Sequence, residues 1–229
     1  NLTQYRRVVE CMTKRMIHIY FQTLAQLYPL KKEDFLDLKK FIQYKNAHIA
    51  QIRNRLLSVQ LNQNISESDI ERTEYGKPFL SKQSHLFFNH SHSQKHYVLA
   101  TTCSARDIGV DIEDLDRKVR FEALAKHAFH LEEYRTWEMT GFDPLYWFKV
   151  WTSKEAVLKA SGLGIRLSLN ELNTHAHPVN DGGRCEHPLI GVFAYQNFNL
   201  GQAILTVAWR SEDSCKGFAF PIIQINRLD

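Results

Sequence analysis

An α+β fold is what the sequence predicts, and three observations predict it. Short runs rich in β-branched and aromatic residues are interleaved with longer stretches whose apolar residues recur every three or four positions. The order strand, helices, strands occurs once before residues 104–109 and again after them. Hydrophobic residues make up 44% of the 229-residue chain and charged residues 24%, enough apolar surface for real cores and too little charge for disorder. Two α+β units are therefore expected, over residues 1–106 and 107–229. The order of elements suggests a duplication, but no internal repeat is strong enough to prove it.

The first strand is expected at Ile17–Phe21, Ile-His-Ile-Tyr-Phe. After Pro29, a charged amphipathic stretch runs from about Lys31 to Leu61. Its apolar positions Phe35, Leu38, Phe41 and Ile42, then Ile49, Ile52, Leu56 and Val59, predict two helices with a break near Asn46. Tyr75-Gly76-Lys77-Pro78 is turn chemistry, because Gly supplies unusual backbone angles and Pro fixes its own. Strands are expected at 86–92, 97–102 and 108–113, with a loop between the first two. Helices are expected at about 118–128, 131–139 and 144–161, the last stopping at Gly162-x-Gly164. Short strands at 189–195, 203–209 and 217–225 complete the second unit.

The bulk numbers narrow the function classes. The apolar run around Leu205–Trp209 is far below the roughly 18 residues a membrane span requires, so no membrane role is expected. Asn1–Arg15 carries Arg6, Arg7, Lys14 and Arg15 without an apolar segment, so a secretory signal is not expected in the chain as it stands. The absent initiator Met leaves room for an upstream piece. Cys11, Cys103, Cys185 and Cys215 form no CxxC pair, which favours free thiols in a reducing cytoplasm. The net charge of +4 suits any anionic partner and chooses none.

Asp111 and Glu113 lie two apart in a strand pattern, so both carboxylates point to one face and Ile112 to the other. Carboxylates held close repel unless a cation separates them or one takes a proton. Asp114 and Asp116 make the local charge denser still. A hard divalent ion is the natural neutraliser, and Mg²⁺ is commonly held by one or two carboxylates with substrate phosphates. An isolated Asp-x-Glu is more often an ordinary solvated strand end. In the helix at 144–161, Trp151, Glu155 and Lys159 fall on one stripe. There Glu155 could complete a three-carboxylate site while Lys159 meets a phosphate; the same spacing also describes a surface ion pair.

His90 and His92 lie two apart with His85 and His96 nearby, yet no Cys/His spacing of a structural zinc site accompanies them. Ser91 and His92 face opposite ways in an extended run, which suits a phosphate-binding loop better than a nucleophile–base pair. Lys77 sits in a stiff turn that could aim a long cation, or simply leave it solvated.

Taken in order, Tyr75-Gly76-Lys77-Pro78, Phe88-Asn89-His90-Ser91-His92-Ser93, Gly109-Val110-Asp111-Ile112-Glu113 and Phe148-x-x-Trp151-Thr152-x-Lys154-Glu155-Ala156-x-x-Lys159-x-x-Gly162-x-Gly164 resemble the Sfp-type 4′-phosphopantetheinyl transferases. The resemblance is clear over residues 75–164 and loose in the flanks. It implies a pseudo-two-fold pair of α+β halves in one chain, with the active site in the cleft between them. By the same resemblance, Asp111, Glu113 and Glu155 hold Mg²⁺, and Lys77, Ser91, His92 and Lys159 contact coenzyme A. Glu155 and Lys159 are then the catalytic pair. The implied reaction moves phosphopantetheine from coenzyme A to a serine of an apo acyl- or peptidyl-carrier protein and releases 3′,5′-ADP, as a cytoplasmic monomer of the holo-acyl-carrier-protein synthase type.

The chain departs from the family in its first half. Where members usually carry an arginine that touches the nucleotide, the alignment puts Ile49, with Arg53 one turn further on the same face; Lys31 and Lys32 lie in the right neighbourhood without a motif to fix them. Ile112 is no metal ligand, so water should take that coordination position. Two other classes of function compete. A non-catalytic coenzyme A-binding module would be expected to lack one of the three carboxylates, and all three are present. A nucleic-acid-binding protein would cluster its basic residues with stacking aromatics, and here they are dispersed, so no nucleic acid is expected.

Overall fold

Ile17, Ile19 and Phe21 alternate inward along the first strand, and this period-two burial makes β1 (Met16–Thr23) the inner strand of a sheet. The protein is described by a computed structural model covering residues 15–24, 32–83, 85–105, 107–211 and 220–228, with the backbone alone at Ile165. The other elements are α1 (Leu38–Leu61), β2 (Ile70–Arg72), β3 (Pro78–Leu80), β4 (Phe87–His92), β5 (His96–Thr102), β6 (Ile108–Asp114), α2 (Phe121–Ala128), α3 (Leu131–Met139), α4 (Pro144–Ser161), β7 (Gly182–His187), β8 (Gly191–Asn199), β9 (Ala203–Arg210) and β10 (Ile222–Arg227). The fold is mixed α+β. No described helix is long and apolar enough to cross a membrane.

One sheet has the order β10-β1-β5-β4, antiparallel except where β10 lies parallel to β1. The other has the order β6-β9-β8-β7 and is antiparallel throughout. β2 and β3 pair as a separate small ribbon. Apolar residues of both sheets meet in one cluster, with Ile17, Ile19, Val98 and Ala100 packed with Val110, Ile112, Leu205 and Val207. The helix α1 covers the first sheet through Ile49, Ile52, Leu56 and Leu57 against Phe88, Tyr97 and Leu99. The helix α4 covers the second through Ala156, Val157 and Ala160 against Phe193, Tyr195 and Ala208.

The expected break near Asn46 does not exist. Leu38–Leu61 is one 24-residue helix, capped by the Asp37 carboxylate at its start and by Asn62 in a left-handed conformation at its end. The segment contains neither Pro nor Gly, and a single Asn costs far too little to interrupt a ladder held down by its buried face. β7 was not among the expected strands, and its Gly182-Gly183 start carries no side chain that would mark one. Gly183 instead lies flat against the Tyr195 ring, where a side chain would not fit. Cys103 and Cys185 are free; Cys11, Cys215, Pro29 and residues 217–219 of the expected last strand lie outside the described residues.

The edge strands β4 and β6 belong to different sheets and run side by side without a backbone ladder. Side chains join them instead. Val110 N donates to Asn89 Oδ1 at 2.9 Å, Ser91 Oγ to Asp111 Oδ1 at 2.9 Å, and Ser93 Oγ to Asp114 Oδ1 at 2.6 Å. Gly109 brings α4 onto β6 so closely that a Cβ would sit on the Ala156 carbonyl and the Ala160 amide. These two seams bring β4, β6 and α4 together.

Candidate functional site

Ile112 points into the shared core, so Asp111 and Glu113 point together toward α4. The Asp111 carboxylate is buried; its Oδ1 accepts from Lys159 Nζ at 2.6 Å and from Ser91 Oγ, while its Oδ2 is buried without a partner. Glu113 Oε1 accepts from Trp151 Nε1 at 3.2 Å and from the Arg117 guanidinium. Trp151 and Lys159 are two helical turns apart on α4, and Glu155 occupies the turn between them. One stripe of α4 therefore touches the acidic strand at both ends with Glu155 in the middle.

The electrostatics bear the mark of crowded negative charge. Burial raises the Glu155 pKa first, the Asp111 charge raises it further, Lys159 pulls it back, and Glu113 adds to the rise. Burial also raises Glu113, against the hydrogen bond from Arg117, and Asp111 raises it again. Among the described residues, no group of three or more His, Cys, Asp or Glu side chains is arranged to hold a metal ion as the side chains stand. Lys159, Ser91, Arg117 and Trp151 have taken the carboxylate oxygens. The donor set nevertheless suits a hard cation: oxygens only, two carboxyls under mutual repulsion, and an orphaned Asp111 Oδ2.

Lys77 arrives from the other half of the sequence. Gly76, at φ 84°, shapes the turn that delivers it, and Thr73 closes the turn through Lys77 N and O. Lys77 Nζ donates to the Ala160 carbonyl at 2.9 Å, at the C-terminal end of α4 where the helix dipole favours a cation. Burial pushes its pKa down to about 8. Lys77, Glu155 and Lys159 line one cleft of about 760 Å³, whose other walls include Tyr75, His90, Leu124 and the 162–170 turn. Ser91, His92, Asp111 and Glu113 do not line it. His92 sits at the outer end of β4, its pKa lowered by partial desolvation and then by the charge of Lys45, with Lys159 adding to the effect.

Several residues differ from their expected settings. Asp114 does not thicken the acidic cluster: it holds the β4–β5 turn through Ser93 Oγ, the amides of Gln94 and Lys95, and His96 Nδ1 at 2.6 Å. Asp116 pairs with Lys95. Arg53 does not take the vacant arginine's place, since it is buried and bound to Glu67 Oε2 at 2.5 Å; Ile49 is core. Lys32 begins an exposed 3-10 turn, and Lys31 lies outside the described residues. A basic residue of α1 near the site is Lys45, one turn before Ile49; its charge acts on His92, and its own pKa is lowered by burial and pulled back by Asp114. The spacing 45, 49, 53 on the inward stripe was the sequence signal for it.

Residues 107–206 match the model of the 4′-phosphopantetheinyl transferase superfamily. The chain is 31% identical to the 4′-phosphopantetheinyl transferase gsp of Aneurinibacillus migulanus over 62% of this chain and 60% of that protein. It is 28% identical to the 4′-phosphopantetheinyl transferase Sfp of Bacillus subtilis (strain 168), over 61% of this chain and 63% of Sfp. It is also 28% identical to the L-aminoadipate-semialdehyde dehydrogenase-phosphopantetheinyl transferase of Mus musculus, over 69% of this chain and 56% of that one. The matched region thus spans less than two thirds of each of these relatives.

Proposed function

The chain is a relative of the Sfp-type 4′-phosphopantetheinyl transferases, and from that premise we propose that it transfers phosphopantetheine from coenzyme A to a serine of an apo carrier protein. The observation that carries the proposal is the α4 stripe: Trp151 on Glu113, Lys159 on Asp111, and Glu155 between them. We read residues 1–106 and 107–229 as two halves related by a pseudo-two-fold axis, with the 760 Å³ cleft as the part of the ligand site lined by Lys77, Glu155 and Lys159.

In this reading Asp111, Glu113 and Glu155 would hold Mg²⁺, which when bound supplies positive charge to the coenzyme A pyrophosphate. Lys159 exchanges Asp111 for a phosphate oxygen, and Ser91 and His92 donate hydrogen bonds to the phosphates, with Lys77 closing the turn beside them. The carrier serine oxygen forms a bond to the phosphorus that bears the pantetheine arm. The phosphoanhydride bond breaks, and 3′,5′-ADP leaves with its electron pair. The serine proton passes to Glu155, directly or through a water. The enzyme works as a monomer in the cytoplasm on acyl- or peptidyl-carrier proteins.

The test uses the purified chain, coenzyme A, Mg²⁺ and a panel of apo carriers, read by mass spectrometry. A phosphopantetheine adduct on a carrier is expected, and Asp111→Ala is expected to abolish it while leaving the thermal melt intact. Turnover at the wild-type rate in that variant would remove the metal role. Coenzyme A binding without an adduct on any carrier would make the chain a binding module instead.

A further inference from the structure

Two polar atoms next to the cleft are sealed from solvent without partners: His90 Nδ1 and Tyr97 Oη. They belong to residues on neighbouring strands, β4 and β5, whose rings lie 5.8 Å apart at 50°. Tyr97 is fully buried, and burial raises its pKa far beyond any working pH, so it keeps its proton and needs an acceptor. The imidazole is held neutral, at a pKa of about 3, by burial first and then by the charges of Arg53, Lys159, His92 and Arg72. A neutral imidazole offers one lone pair and one N–H. A hydrogen bond between the two, direct or through one water, would satisfy both orphans at once. The reverse arrangement, with the proton on Nδ1, would leave the phenol hydrogen unsatisfied.

We infer that Tyr97 O–H donates to His90 Nδ1 and fixes the tautomer protonated on Nε2, and that this uncharged N–H is a hydrogen-bond donor to a phosphate oxygen of the ligand in the cleft. His90 lines that cleft together with Lys77, Glu155 and Lys159. The lysines supply charge there, whereas His90 supplies direction, since a neutral donor with one fixed proton binds an acceptor in one place only. Tyr97 acts through His90 and is a positioning residue. The inference rests on coenzyme A being the ligand of this cleft.

The test has two readouts. Proton–nitrogen correlation spectra of the imidazoles in ¹⁵N-labelled protein are expected to show His90 neutral with its proton on Nε2, and Tyr97→Phe is expected to mix the tautomers. By calorimetry, His90→Phe is expected to weaken coenzyme A binding about five- to tenfold, the worth of one hydrogen bond, with His90→Gln recovering most of it. A proton found on Nδ1 overturns the Tyr97 relay, and a His90→Phe variant that binds like the wild type overturns the donor. If the wild type itself binds no coenzyme A, the functional reading fails with the donor, while the tautomer is still judged by the spectra.

Discussion

At the scale of single residues, the site is a set of carboxylates only partly satisfied by cations and donors of the same chain, with Asp111 Oδ2 left without a partner. Lys159 answers Asp111, so Lys159→Ala strips a buried carboxylate of its main partner. Because Lys159 is 30% exposed, the stability cost is small, about 1–2 kcal/mol after allowance for solvent screening. The transfer rate is expected to fall by a far larger factor, about a hundredfold or more, in a single-turnover assay. Lys154, its neighbour on the opposite side of α4, behaves differently. It is fully buried, 2.7 Å from Glu133 Oε2 and bonded to the carbonyls of Leu169 and Leu172. Burial lowers its pKa and Glu133 pulls it back. Lys154→Met is therefore expected to cost about 3–5 kcal/mol and roughly 10 °C in thermal melting, and pairing it with Glu133→Gln to recover part of the loss.

The alternation of a strand and the 100° step of a helix were enough to put Asp111 and Glu113 on one face and Trp151, Glu155 and Lys159 on another, so this part of the site was legible in the sequence. Which carboxylate is paired with what was not. Asp114 and Asp111 look alike in the sequence, yet one anchors a turn through His96 and the other faces Lys159, because one partner comes from β5 and the other from α4. Lys45 was overlooked for the same reason: its charge acts on His92, a residue of β4 far from it in the sequence.

Among the elements, β6 and α4 decide the geometry. Gly109 is their point of closest approach, and it is there for space, not for backbone freedom. Gly109→Ala is expected to drive the strand and helix apart, costing about 3 kcal/mol in denaturant unfolding and reducing transfer even in the fraction that folds. α1 shows how element boundaries escape local reading. An Asn in mid-helix looks like a break until Ile49, Ile52, Leu56 and Leu57 are seen to anchor the half that follows it to the sheet, from which the ladder runs back without Pro or Gly to the Asp37 cap. β7 is the opposite case, with two glycines that look like a loop and are a strand because Tyr195 fills the space.

In the molecule as a whole, the uncompensated negative charge predicts a coupling between pH, metal and stability. Glu113 and Glu155 have raised pKa values in the fold, so the native state holds those protons longer than the unfolded chain does. Stability must then fall as pH climbs from the unfolded carboxyl range through the raised values, and stay reduced above them. A cation that binds only the folded form reverses the loss. Mg²⁺ at about a hundred times its dissociation constant is expected to add about 2.7 kcal/mol, or roughly 5–10 °C, at pH 7.5. At pH 4.5 the gain is expected to shrink toward zero as the carboxyls take protons. An equal gain at both pH values in paired melting curves would place the metal elsewhere.

The parallel pairing of β10 with β1, Met16 opposite Ile222, has a consequence for how the protein is made. A ribosome releases β1 long before it has polymerised the strand that shields its outer edge. Until then the nascent sheet offers an open row of amides and carbonyls to any passing strand. Messages cut short between residues 160 and 222 should consequently give insoluble products, even though every proposed site residue has already been translated.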